Sequence, residues 1–465
     1  MQTASKAFCG DNASFGGAPN THVSTISLAH PGTLPRPNIR HVEFATRLGI
    51  ALDCRINPLS HFDRKHYFYA DLPKGFQTTQ DSEPICLGGK VTFRVEDTEK
   101  TVRLHHIHME EDAGKSIHDE NPTATLIDLN RAGVPLLEMV TEPDFRTADE
   151  VYHFINALRR LVRYLEISDG NMEEGSLRCD CNVSVRPRGQ VSLNPRSEVK
   201  NVNSARFARK AIEFEIERQI ALMEQGESVI QETREFLPEQ GITTSLRGKE
   251  DAHDYRYFVE PDILPIIMTA DHIKRIKETM PTLPEAYRKT FVSLGVSDDD
   301  AEFIIDSSKR AVEFRDFIDK HKEIPTRRAA NFFVNKWYPA VESEVVSEDM
   351  EFGIIAQFLK LIEEDKISAS IAYQKLWPEL LGEPQDPFQL CQKLNLMQTS
   401  DEDEITSLAR EVINENPVQL AQYRKGKKGV IKFFMGQLMR RSKGKANPEI
   451  ATKTLERILA ESQSK

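Results

Sequence analysis

The sequence predicts an α+β protein: a largely antiparallel-sheet domain over residues 1–270, an all-α region over 271–398 and a small helical tail over 399–465. Three observations carry this. At 465 residues the chain exceeds what one ordinary core holds, and a prior of roughly 100–200 residues per domain asks for two to four. Up to about residue 270 the chain is rich in Gly, Pro and short alternating segments, whereas after Pro265 long amphipathic stretches with few glycines take over. Loop-like breaks at Gly382-Glu-Pro-Gln-Asp-Pro387 and Thr399-Ser-Asp-Glu-Asp-Glu404 then set off the tail.

In chain order, Val91–Val95 and Thr101–Met109 read as a hairpin, and Leu126–Leu129 and Val134–Val140 as further strands. Thr147 and Glu150 form a capping box, after which Val151, Phe154, Ile155, Leu158, Leu161, Val162 and Leu165 keep helical spacing to a stop near Ser168-Asp-Gly. Arg178–Val185 and Ser197–Val202 are the next strands, and a helix over Ser204–Gln225 is closed by Gly226. The chain shows no internal sequence repeat.

Composition excludes several classes. Hydrophobic residues make up 39% and charged residues 29%, and no run approaches the ~18 apolar residues of a membrane span. The first residues have neither a signal peptide's apolar core nor an arginine-rich transit pattern, which predicts a cytoplasmic protein with no membrane partner. Six scattered cysteines predict reduced thiols. The net charge of −11 argues against general nucleic-acid coating. Between Asn416 and Pro448, however, no acidic residue occurs, and Arg424, Lys425, Lys427, Lys428, Lys432, Arg440, Arg441, Lys443 and Lys445 are interleaved with Tyr423, Phe433 and Phe434. Such a patch reads either as selective phosphate contact or as a solvated helix pair.

Five stretches concentrate chemistry. Ser168–Ser184 packs carboxylates, glycines and an alternating strand; Arg178, Asp180, Asn182 and Ser184 share one face, which either holds a ligand or meets water. His108-Met-Glu-Glu-Asp-Ala-Gly-Lys115 sets adjacent carboxylates at a strand end, with Glu110 and Asp112 facing one way and Glu111 the other; this suits Mg²⁺ or is an ordinary acidic loop. Glu138 lies inside the otherwise buried run Val134–Val140, where a carboxylate needs a metal or an ion pair, for example with Arg131. Phe62–Gln77 mixes Arg64, Lys65 and Lys74 with Phe62, Tyr67, Phe68, Tyr69 and Phe76, which suits a nucleotide or a tRNA end or is an exposed loop stabilised by stacking; Asp251–Phe258 alternates charge with ring and is either a ligand wall or an ordinary edge strand. No Walker sequence, dinucleotide fingerprint or nucleophile elbow appears.

Read together, Asp-Leu-Pro-Lys-Gly, His-Met-Glu-Glu-Asp-Ala-Gly-Lys, Asn-Arg-Ala-Gly-Val-Pro-Leu, Ser-Asp-Gly-Asn-Met-Glu-Glu-Gly-Ser-Leu-Arg-Cys-Asp, Glu-Asp-Ala-His-Asp-Tyr-Arg-Tyr-Phe and Gly-Lys-Ala-Asn-Pro carry a resemblance over almost the whole chain. The chain resembles the B subunit family of bacterial aspartyl/glutamyl-tRNA amidotransferases. That resemblance implies a cradle-shaped first domain and an ATP-dependent carbon–nitrogen ligase that phosphorylates the side-chain carboxylate of Glu-tRNA(Gln) or Asp-tRNA(Asn) and then forms the amide. It implies ATP and Mg²⁺ as cofactors, ammonia from a glutaminase A subunit, a small C subunit completing a heterotrimer, and a misacylated tRNA. Carried over by motif, Glu110, Glu111 and Glu138 resemble metal ligands, and Lys65 a residue on the ammonia path. Arg131, Glu174, Arg178, Asp180 and Asn182 resemble parts of the reacting pocket, with Tyr67, Lys74, Lys200, Tyr255 and Arg256 toward the nucleotide. In the tail, Arg424, Lys427, Lys428, Arg440, Arg441, Lys443 and Lys445 resemble tRNA contacts.

Two departures shape the expectations. Family members ordinarily open with a Gly-Leu-Glu-Val-His strand whose histidine helps bind the metal; Met1-Gln2 stands where that strand would end, so one ligand and one strand are expected to be missing. Many relatives also carry two cysteine pairs for zinc, whereas here Cys9 is followed by Asp11, and Ser24 and Ser27 replace the second pair, which predicts no zinc. The rival readings are a catalytically impaired tRNA-binding scaffold and a ligase for a free small molecule.

Overall fold

A computed structural model describes residues 1–117, 124–200, 202–247, 255–347, 350–399 and 401–462. Residues 251–254 of the Asp251–Phe258 stretch lie outside them. The chain forms two compact units, Met1–Pro284 and Glu285–Lys465. Antiparallel sheets in the first and helices in the second make it an α+β protein.

The spine of the first unit is a 14-residue strand, Thr98–Glu111. Its first half pairs with Lys90–Val95 as the hairpin foreseen, and its second half with Cys86–Leu87 on one side and Pro135–Thr141 on the other, all antiparallel. Alternation sends Val102 and Leu104 into the core, where they join Val91, Phe93, Phe154 and Ile155. The helix Ile39–Ala51, which carries no comparable sequence signal, packs on this sheet so closely at Gly49 that a Cβ there would collide with Cys86 Sγ and Ile56 Cδ1.

The helix Ala148–Tyr164 begins at the expected capping box, with Thr147 accepting from the Glu150 N–H and the Glu150 carboxylate accepting from the Thr147 N–H. It packs on the helix Ala205–Glu224, which is capped by Ser204 and released by Gly226 at φ +78°. The second helix is a crossover: it links Ser197–Lys200 to Glu232–Leu237, which pair in parallel, Glu198 opposite Thr233. That pair departs from the otherwise antiparallel pattern because strands joined through a helix return in the same direction. The sheet is completed by Cys181–Val183 and Ile242–Arg247, so the strand foreseen over Arg178–Val185 is only its central three residues. A third sheet sets Asp63–His66 between Phe76–Thr79 and Phe258–Val259.

In the second unit, Phe314, Phe317, Phe332, Phe333, Phe358 and Trp377 form an aromatic core. The tail has a core of its own, with Ile405, Ala409, Phe434, Leu438, Leu455 and Leu459 buried together. Among the described residues no helix is long and apolar enough to cross a membrane.

Candidate metal centre and its surround

The register of two strands builds the centre. His108 and Glu110 are two residues apart on the long strand and therefore share a face, and Glu138 on Pro135–Thr141 lies directly opposite His108. One ligand atom from each of the three lies within 4.8 Å of the others, the one such group among the described residues. His108 Nε2 is 3.2 Å from Glu110 Oε1 and 3.7 Å from Glu138 Oε2.

Glu110 is fixed from behind, accepting from Thr79 Oγ1 at 2.6 Å and Gln77 Nε2 at 3.0 Å. Burial works to raise its carboxyl, but the hydrogen bond and charge of His108, with Lys65 and Thr79, hold it below its usual range. The Glu138 carboxyl is pushed up by burial and by the charge of Glu110, Asp180 adding to it while His108 and Lys65 oppose. Half of the Glu138 side chain meets solvent, so the run around it is not the closed core its sequence suggested. Its partner is His108 rather than Arg131. One imidazole and two carboxylates, with carboxylate crowding carboxylate, are a donor set suited to a divalent cation. Behind His108, burial and then the charges of His108 and His105 push His106 down to about 4.

Glu111 faces the other way, as alternation requires. It is held by Lys74 and by the Thr78 N–H at 2.9 Å, apart from the group of three. Lys74 also reaches Thr78 Oγ1 at 2.9 Å and lies over Phe76 and Phe8. This pair lines a cavity of about 260 Å³ with Arg64, Asp112, Glu260 and Asp262. Asp112 pairs with Arg178, and Arg131 approaches it to 3.6 Å while donating to the carbonyls of Ala113 and Gly114. Cys9, Asp11, Ser24 and Ser27 form a hydrogen-bonded cluster in which Ser27 Oγ donates to Asp11 at 2.6 Å.

The remaining expected residues flank this core. Lys65 lies 5.0 Å over the Tyr255 ring, which meets Tyr67 edge-on. Tyr67 donates to Gln77 at 3.3 Å. Lys200 bonds Asp180 at 3.0 Å and Glu198 at 3.3 Å; burial lowers its ammonium, but the two carboxylates raise it overall. Asn182 is exposed between buried Cys181 and Val183, and Glu174 is exposed in its turn. The Arg256 carbonyl is 3.1 Å from His66 Nδ1. The structure thus joins Glu110 and Glu138 directly, with Lys65 and Asp180 acting by charge, and gathers Arg131 and Arg178 at Asp112. His108 is not among the residues expected from the sequence, although its place two residues before Glu110 was the signal that could have found it.

Comparison with known proteins settles the family. Residues 1–274 match the GatB/GatE catalytic domain and residues 314–459 the GatB domain. The chain is 42% identical to the B subunit of the aspartyl/glutamyl-tRNA(Asn/Gln) amidotransferase of Thermoanaerobacter sp. (strain X514), over 99% of this chain and 97% of that one. The chain belongs to the GatB family. The corresponding protein of Geobacter sulfurreducens is 43% identical over 98% of this chain and 96% of its own, and that of Persephonella marina 38% over 99% and 97%. GatB is a subunit of an amidotransferase, a glutamine-dependent ligase. In the GatB domain, Arg424, Lys427, Lys428, Arg440, Arg441 and Lys443 are exposed and Lys445 half-buried; Arg441 is engaged by Glu415 at 2.5 Å and Glu411 at 3.3 Å.

Proposed function

We propose that this chain is the tRNA-dependent, carboxylate-activating subunit of a heterotrimer with a glutaminase A subunit and a small C subunit. It converts Glu-tRNA(Gln), Asp-tRNA(Asn) or both to the amides. The carrying observation is the His108–Glu110–Glu138 group beside Lys65 in a chain of the GatB family. The side-chain carboxylate attacks the γ-phosphorus of ATP, ADP leaves, and an acyl phosphate forms; ammonia adds to its carbonyl carbon, the C–O bond to phosphate breaks, and the amide and phosphate are released. A divalent cation, Mg²⁺ on the family expectation, held by His108, Glu110 and Glu138 would offset the phosphate charge.

The chain's own side chains supply the rest. Lys65, steered by the Tyr255 ring, brings positive charge to the carboxylate pair and fits the expected place on the ammonia path. Arg178 and Arg131, gathered by Asp112, offer guanidinium groups to phosphate or carboxylate oxygens. Lys74, Tyr67, Tyr255, Arg256 and Lys200 form the surround for the nucleotide, with Glu174, Asp180 and Asn182 at its rim. In the tail, the exposed basic residues contact tRNA phosphates. Three functional parts, bounded at about 270 and 398, follow from this division of work.

The test is reconstitution with A and C subunits, Glu-tRNA(Gln), ATP and glutamine, following Gln-tRNA. The expected result is turnover that requires all components and falls at least 100-fold in Glu110→Gln. Tight tRNA binding without ATP consumption would favour the scaffold reading, and amidation of free glutamate would favour a small-molecule ligase.

A further inference from the structure

The strand that supplies His108 also carries His105 and His106, and the three rings meet in series. His106 precedes His108 by two residues and shares its face. Its Nε2 is 3.0 Å from His108 Nδ1, with the rings 26° from coplanar and their centroids 5.0 Å apart, the geometry of an edge-to-edge hydrogen bond. In a regular strand His105 would face the opposite side. Here the ladder slips: Val140 faces His106 and Thr141 faces Leu104, leaving His105 as the extra residue of a β-bulge. His105 Nδ1 comes to 2.7 Å from His106 Nδ1. The row runs from exposed His105 through half-buried His106 to buried His108, whose Nε2 meets Glu110.

We infer that His106 is a positioning residue for the cation group, holding the His108 ring in place and accepting a hydrogen bond from its Nδ1–H when the Nε2 lone pair is given to a cation; this rests on the metal reading of His108, Glu110 and Glu138. An imidazole binds metal through one nitrogen only while the other keeps its proton, and a partner for that proton fixes ring and tautomer. His106 can face Nδ1 with a lone pair or an N–H. It therefore partners His108 both when Nε2–H points at Glu110 and when Nε2 binds a cation. The bulge gives His106 the same service from His105, so both ring nitrogens of His106 and of His108 have a neighbour.

The experiment measures Mn²⁺ affinity of the full chain by electron paramagnetic resonance for wild type, His106→Leu and His106→Gln. Loss of an outer partner of a metal-bound histidine typically costs about 10–100-fold in affinity, and a loss on that order is expected for His106→Leu. His106→Gln, whose amide can accept or donate, should recover most of it. In the wild type labelled with ¹⁵N-histidine and loaded with Mg²⁺, His108 should carry its proton on Nδ1, with nitrogen–nitrogen coupling to His106 across the hydrogen bond. Equal Mn²⁺ affinity in folded His106→Leu, or a His108 unprotonated at Nδ1 in the Mg²⁺ complex, would overturn the inference. If the wild type binds no Mn²⁺, the metal reading itself fails, and the coupling in metal-free protein then decides whether His106 holds His108 at all: its absence overturns that too.

Discussion

Glu138 and Glu215 put two kinds of carboxylate in one domain and make opposite expectations. Glu138 is half-exposed beside Glu110, so Glu138→Gln should leave the thermal midpoint unchanged or slightly higher while weakening Mn²⁺ binding at least 10-fold by titration. Glu215 is fully buried, accepts from Arg218 at 2.8 Å and from Thr243, and forms an ion pair with Arg234 at 2.9 Å. Removing its charge leaves the two guanidinium groups with Glu232 as their shared carboxylate, and Glu215→Gln should cost about 3 kcal/mol in urea unfolding. Burial works to raise the Glu215 carboxyl, but Arg218 and Thr243 hold it below its usual value. Its folded value thus lies below its unfolded value of about 4.3, so its stabilisation is complete above that pH and fades as pH falls through the folded value. Thermal midpoints from pH 7 to pH 3 should fall less steeply in Glu215→Gln than in wild type. At this scale the sequence made Glu110 and Glu138 legible, one as part of a carboxylate pair and one as a charge in an apolar run. The same alternation turns Glu111 away toward Lys74. His108 was half legible: its spacing puts it on the Glu110 face, but its place opposite Glu138 depends on register, which is not written in either strand alone.

Elements with local signals were readable, and elements defined by partnership were not. The Thr147 capping box and the Gly226 stop each rest on a few neighbouring residues, and both ends lie where those residues put them. Thr147→Ala should cost about 1 kcal/mol in urea unfolding, since it leaves N-terminal amides without their acceptor. Gly226→Ala should cost a similar amount for a different reason: no atom lies within 4 Å of the added Cβ, so only the positive φ is strained. By contrast, the strand over Arg178–Val185 alternates throughout, yet only Cys181–Val183 finds partners, opposite Ser197–Val199. Alternation reports a face, not a neighbour. The parallel pairing of Ser197–Lys200 with Glu232–Leu237 was concealed for the same reason. The bulge at His105 was equally hidden, because only the partner strand reveals the extra residue.

For the whole molecule, an acidic chain of net charge −11 carries an acid-free basic run between Asn416 and Pro448, most of it exposed in the GatB domain. Replacing Arg424, Lys427 and Lys428 together with Gln should weaken Glu-tRNA(Gln) binding and reduce the slope of log affinity against log salt by about 1 per lost phosphate contact. Arg441, already engaged by Glu411 and Glu415, should contribute less than these three. The change from sheet-rich to helical composition near Pro265 was legible because composition accumulates over many residues, and the tail's separate core follows its own apolar spacing. The central claim is that the His108–Glu110–Glu138 group serves activation of a tRNA-borne carboxylate. Its most direct measurement incubates the reconstituted heterotrimer with Glu-tRNA(Gln) and ATP labelled in the γ-phosphate, without glutamine, and looks for label on the aminoacyl-tRNA. The account expects labelled acyl phosphate with wild type and none with Glu110→Gln; equal label in both, or amide formation in the full reaction without any labelled intermediate, would contradict it.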